Sequence, residues 1–193
     1  MMSYQKERID NAILFFALNH HKKTKIFLSQ TFLYKYLAFF EFRYLKKVGD
    51  MPLELTYKAM ERGPVPMEIY SNRDNPEYFS KVIFEPSAME DGKTKYTIKP
   101  KGAFNADYFA DAEIEEMKNL VEIFAEKWVR ATDMSDASHQ DIKAWKTTYK
   151  RSPNANIDPI DEFDRDIESI PEEELKTGEL KYLMHRKMAE LTL

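Results

Sequence analysis

The 193-residue chain contains no cysteine and only five glycines. The first absence excludes disulfides, thiolate zinc sites and thiol catalysis, and it suits a reducing cytoplasm. The second means that each glycine marks a place where the backbone has to turn or approach closely. Long uncharged apolar runs are also missing: the most apolar stretch, Ile26 to Leu45, is interrupted by Lys35, Glu41 and Arg43 and is too polar to span a membrane. There is no basic excess either, since the net charge is -4, which argues against general adhesion to nucleic acid. The first residues mix acids with bases and carry no small-residue cleavage site, so they do not read as a signal peptide. A cytoplasmic protein without membrane contact is expected. No glycine-rich phosphate loop follows a strand, and neither G-x-S-x-G nor H-E-x-x-H occurs, so no enzyme is expected. His20 and His21 are adjacent, while His139 and His185 stand alone; this is poor metal geometry, and no metal or cofactor is expected.

What is present is a core: 43% hydrophobic and 13% aromatic residues suffice for one well-buried domain with extensions. Charge is polarised along the chain, with nine Lys/Arg against four Asp/Glu in residues 1 to 50 and five against eleven in residues 154 to 193. Ile9, Ala12, Ile13, Phe16 and Ala17 repeat at helical spacing. The following segment, about Lys25 to Val48, is apolar almost all round and reads as a central helix closed by Gly49. "LELTYKAME" reads as a short helix, with Leu53 to Leu55 equally able to begin as strand. Alternation around Asp91-Gly92 predicts a hairpin from Tyr78 to Pro100. Ile114, Met117, Leu120, Val121, Phe124 and Trp128 predict an amphipathic helix from Asp111 to about Arg130. A further helix capped by Ser135 or Asp136 carries His139 and Trp145 on one side, packed towards Gly63. The expected fold class is therefore mainly α with a β component (α+β): several helices around a central apolar helix, plus a small β-hairpin.

In "ERGPVPMEIY", Gly63 breaks the chain before Pro64-Val65, and Pro66 can open a helix through Tyr70. The stretch reads as a rigid helix-to-helix corner. With the hairpin lysines Lys93, Lys95, Lys99 and Lys101 as a wing, the same order also fits a winged helix-turn-helix. Against that, the recognition helix would offer Met67, Glu68 and Ile69, and residues 51 to 105 balance eight Lys/Arg with eight Asp/Glu.

Three ordered motifs together resemble the Panacea-domain, SocA-like antitoxin family of bacteria and their phages. "LYKYLAFFE" is similar to the family's helix pattern, with Lys35 at its lysine. "ERGPVPMEIY" is similar to its Gly-Pro-Val corner through Gly63, Pro64, Val65 and Tyr70. "MSDASHQDIKAW" is similar to its late Thr/Ser-His pair and tryptophan, here His139 and Trp145. Arg62, Ser138 and Ile142-Lys143 depart from the usual pattern. The resemblance implies an antitoxin that neutralises an adjacently encoded protein toxin by direct contact, as part of a toxin-antitoxin system of the kind linked to phage defence. Alarmone synthetase-like toxins are among the partners met in the family, and a protease-adapter role is also known there. A DNA-binding regulator of its own operon is the competing reading, with nucleic acid reached through the hairpin. A homo-oligomer is compatible with either.

The division read from this is a Panacea-like domain over residues 1–170 and a C-terminal helical extension over residues 171–193. The extension follows an acidic, proline-broken stretch, and its helix, Gly178 to Leu191, carries Leu180, Met184 and Leu191 on one side as a stripe for a partner.

Overall fold

The computed structural model describes residues 4–191. Helix α1 (Tyr4–Thr24) and helix α2 (Gln30–Val48) flank a two-residue strand, β1 (Leu28–Ser29). Ser29 caps α2 by accepting from the Phe32 amide, and Gly49 closes it at φ 79° with its amide on the Leu45 carbonyl. Burial along α2 is nearly continuous from Leu33 to Leu45, because neighbours cover it on all sides. Phe16 stacks on Tyr36, and Phe39 stacks on Phe124 of helix α4 (Asp111–Phe124). Each such fully buried aromatic is worth about 1.5–3 kcal/mol.

The stretch read as a short helix is a strand instead. Strand β2 (Tyr57–Met60) turns at Glu61-Arg62 into β3 (Gly63–Pro66), pairing Met60 with Gly63 and Tyr57 with Pro66. The strand wins because Tyr57 and Ala59 alternate inward with period two, and a later stretch of the same chain adds pairing from Asn154 to Ile157. The expected helix-to-helix corner is thus a tight hairpin followed by a six-residue helix, α3 (Met67–Asn72). The element that a helix-turn-helix needs before its recognition helix is not built.

The predicted hairpin forms as β4 (Val82–Ala88) and β5 (Thr94–Pro100), and β1 joins the far side of β5 in the order β1-β5-β4. Its entry is pinned to α1 by the buried Asp10 carboxylate, which accepts from the Ser80 amide at 2.8 Å and hydroxyl at 2.7 Å. Helix α4 stops at Phe124 rather than near Arg130, and Trp128 lies beyond it, 76% exposed.

The single helix expected around His139 and Trp145 is two: α5 (Ala131–Asp141) and α6 (Lys143–Arg151), broken at Ile142 (φ -95°, ψ 95°). The cap is not Ser135 or Asp136. Asp133 accepts from the Arg130 amide at 2.7 Å, and the helix starts four residues earlier than Ser135. Single 3-10 turns at Pro159–Glu162, Ile167–Ser169 and Glu172–Glu174 lead to the last helix, α7 (Thr177–Glu190). Its start meets the end of α2 backbone to backbone: a Cβ on Gly49 would collide with the Gly178 carbonyl, and one on Gly178 would lie 3.2 Å from the Gly49 amide nitrogen. Among the described residues no helix is long and apolar enough to cross a membrane.

Candidate functional site

Lys35, Gly63, Pro64, Val65, His139 and Trp145 converge at the β2–β3 turn. Gly63 adopts φ 101°, a conformation that other residues seldom take, and a Cβ there would collide with Lys35 Nζ and lie 2.6 Å from Ser138 Oγ. A glycine at this bend is expected to need either positive φ or a close backbone approach; the positive φ is present, and the close neighbours are the side chains of Lys35 and Ser138. Lys35 Nζ reaches under the turn and donates to the Pro64 carbonyl at a long 3.4 Å. Gly63, Pro64, Val65 and Trp145 are buried, and Lys35 is 2% exposed.

His139 and Trp145 stack face to face with ring centres 4.0 Å apart and planes 6° apart. Six residues along one continuous helix would set them roughly 120° apart around its axis; the break at Ile142 swings the second helix round so that the rings meet. The break is held from outside, because the buried Glu162 carboxylate accepts from the Ala144 amide at 2.9 Å and so caps α6. Trp145 then donates its indole N–H to the Met60 carbonyl at 3.0 Å and stacks on Tyr149. This binds α6 to the last residue of β2. Tyr70 belongs to a neighbouring group, where the Arg73 guanidinium lies 3.8 Å from the centre of its ring.

Electrostatically the turn is costly. Burial brings the Lys35 ammonium down to about 7. Burial, and after it the Lys35 charge, also lowers the His139 imidazole, with Asp136 opposing. On the other side of α2 the fully buried Glu41 is raised to about 8 by burial, even though its Oε1 accepts from the Leu53 amide at 2.9 Å and the Leu55 amide at 3.4 Å. Ser138 donates its hydroxyl to the Ser135 carbonyl at 2.7 Å, so the Ser-His pair is not arranged as nucleophile and base. Among the described residues no group of His, Asp and Glu could hold a metal ion. What these residues do is fix the relative placement of α2, the β2–β3 hairpin and the α5–α6 pair.

The three residues predicted as a C-terminal stripe have different fates. Leu180 is half-buried, Met184 is 54% exposed, and Leu191, just past the end of α7, is 88% exposed. Leu180 and Met184 line one groove between α7 and the stretch from Ile167 to Leu175, with a cavity of about 400 Å³.

Reading the sequence overlooked Glu41, Glu162 and the Gly49–Gly178 contact. A lone carboxylate inside an apolar helix was a visible signal for Glu41. Nothing local marks Glu162, whose partner is eighteen residues away.

The model of one protein family, described as antitoxin SocA-like, Panacea domain, matches residues 33–146. That span runs from α2 to the start of α6 and holds every residue at the β2–β3 turn named above. No curated protein and no solved structure matches the chain.

Proposed function

We propose, from the premise that the chain belongs to the family of SocA-like antitoxins with a Panacea domain, that it silences a protein toxin by direct contact and performs no catalysis of its own. The observation that carries this reading is the burial of the residues behind the family resemblance. Lys35, Gly63 to Val65 and Trp145 are inside, so they serve as a frame, and contact with a partner falls to the surfaces the frame displays. The regulator reading has less support. Its recognition helix is six residues long with Ile69 buried, and two wing lysines are engaged, Lys93 with Asp91 and Lys99 with Glu85.

Co-expression with the product of the neighbouring gene is the test. Growth arrest by that product alone, relieved by this chain with the two proteins co-purifying, is the expected outcome. Relief accompanied by disappearance of the toxin would replace blockade by delivery to a protease. Absence of relief, together with salt-sensitive binding of this chain to its own promoter, would replace the antitoxin by a regulator.

A further inference from the structure

The three-stranded sheet turns one face to the core and the other outward. Val82, Phe84, Tyr96 and Ile98 are buried, and the alternate positions, Ile83, Glu85 and Ser87 on β4 with Lys95, Thr97 and Lys99 on β5, form the outer face. The register sets Ile83 beside Lys99 and Ser87 beside Lys95, and just past the paired residues Lys101 donates its amide to the Lys81 carbonyl. At the β1 edge the row through Ile83 and Lys99 continues to Phe27, whose ring centre lies 3.5 Å from Lys99 Nζ and 4.2 Å from the His21 ring stacked on it. Phe27 is 37% exposed and Ile83 is 46% exposed.

The chain as a whole has a net charge of -4, yet this face is basic. Lys81, Lys95, Lys99 and Lys101 belong to it, and Lys22 and Lys25 border it at the end of α1, where Lys25 Nζ donates to the Lys22 carbonyl. Against these lysines the outward positions of the strands hold one carboxylate, Glu85, which Lys99 engages at 3.5 Å. Glu90 and Asp91 sit in the turn beyond the last paired residues, and Asp91 is taken by Lys93. Lys81 Nζ donates to the Ala103 carbonyl, and Lys22, Lys95 and Lys101 have no ion pair among the described residues, so these charges are not neutralised within the chain. Uncompensated lysines around exposed Phe27 and Ile83 select an occupant that is acidic and carries apolar residues between its acids. A nucleic acid fits less well. It anchors on a sheet by stacking bases on exposed rings, and His21 and Lys99 already occupy the ring faces of Phe27.

Resting on the antitoxin reading, we propose that the outer face of the β1-β5-β4 sheet seats an acidic, amphipathic helix of the toxin. From Lys95 to Lys101 the face runs about 20 Å, and across its three strands about 10 Å, which suits one helix of three to four turns. Apolar side chains of that helix cover Ile83 and the open edge of Phe27, and its carboxylates meet Lys81, Lys95 and Lys101. The lysines accelerate the encounter, and burial of Ile83 and Phe27 sets the lifetime of the complex.

The full chain, with a fluorescent helical peptide carrying a leucine stripe flanked by glutamates, provides the direct test. Anisotropy is expected to show binding about tenfold or more tighter than for the same peptide with lysines in place of glutamates, and weakening as salt rises. Lys95→Glu with Lys101→Glu, two exposed changes that break no ion pair, is expected to reverse that preference. Ile83→Ser is expected to lower the affinity about fivefold without altering the salt dependence. If the double glutamate variant fails to fold, Lys95→Gln with Lys101→Gln serves instead, with about tenfold weaker binding of the glutamate peptide expected. Equal binding of both peptides, or undiminished binding by the variants, overturns the proposal. A single-stranded oligonucleotide of equal charge that binds as tightly as the glutamate peptide assigns the face to nucleic acid and overturns it. A dimer dispersed by the double variant in sedimentation assigns the face to a second copy and likewise overturns it. In cells, a folded double variant that still relieves toxicity overturns the proposal while leaving the antitoxin function standing; a wild type that gives no relief removes that function and the role of the face together.

Discussion

Lys35 lowers the stability of the fold over most of the pH range. The unfolded chain titrates near the ordinary 10.5 and the folded one at about 7, so between these values the unfolded state binds more protons and stability rises with pH. The penalty begins below 10.5 and is complete below 7. The Pro64 carbonyl, which accepts from the amine at 3.4 Å, is too distant to offset it. Lys35→Met should therefore stabilise the protein by about 1–3 kcal/mol near neutral pH, with the gain fading as pH approaches 10.5. Denaturant titrations across that range check it; a methionine variant less stable than the wild type near neutrality would show that the ammonium makes an attraction stronger than its burial cost. The lysine was legible in the sequence as part of a motif, but its burial was not. A charge inside an apolar helix is equally consistent with a solvated stripe until the elements packed against it are known.

Elements with strong periodicity were legible, and short ones were decided by their neighbours. The first two helices, the β4–β5 hairpin and the helix opening at Asp111 follow directly from apolar spacing and from Asp91-Gly92. "YKAM" carries residues compatible with either state, and its pairing with Gly63 to Pro66 and with the chain near Asn156 makes it a strand. The α5–α6 break was hidden for the same reason, since the carboxylate that holds it belongs to Glu162. Helix α7 was visible as an element, whereas its attachment was not, because a contact between two glycines leaves no apolar pattern. That attachment gives a prediction. Gly178→Val places side-chain atoms where only 3.2 Å separates the new Cβ from the Gly49 amide nitrogen, so α7 should lift from α2. Limited proteolysis should then cut near residues 171–177 at least about tenfold faster, with the melting temperature of the remainder shifted by only a few degrees. Unchanged proteolysis would show that the ion pairs of Lys181 and Arg165 hold the helix without the glycine contact.

Across the whole molecule, the charge gradient seen along the sequence is folded back on itself. Lys46 meets Asp164, and Asp50 at the basic end meets Lys181, so the acidic tail lies along the end of α2. Composition foretold both ends of that gradient but not their meeting, which depends on the path of the Pro-punctuated chain between them. The buried β2–β3 turn and the groove beside α7 lie in different parts of one chain. The two tryptophans divide in the same way: Trp145 is clamped between His139 and Tyr149, and Trp128 is largely bare. The protein thus carries its own pair of optical reporters, one for the frame and one for the outside. In Trp128→Phe, the remaining indole should emit at short wavelength, resist quenching by iodide and move to the red in a single step as the fold is lost; in Trp145→Phe, emission should sit near its unfolded position from the start. Ready quenching of Trp145 by iodide in the native state would mean that the stack opens to solvent. Otherwise the colour of the first variant's fluorescence follows the integrity of the Gly63 turn, and quenching in the second follows events at the surface, without any added label.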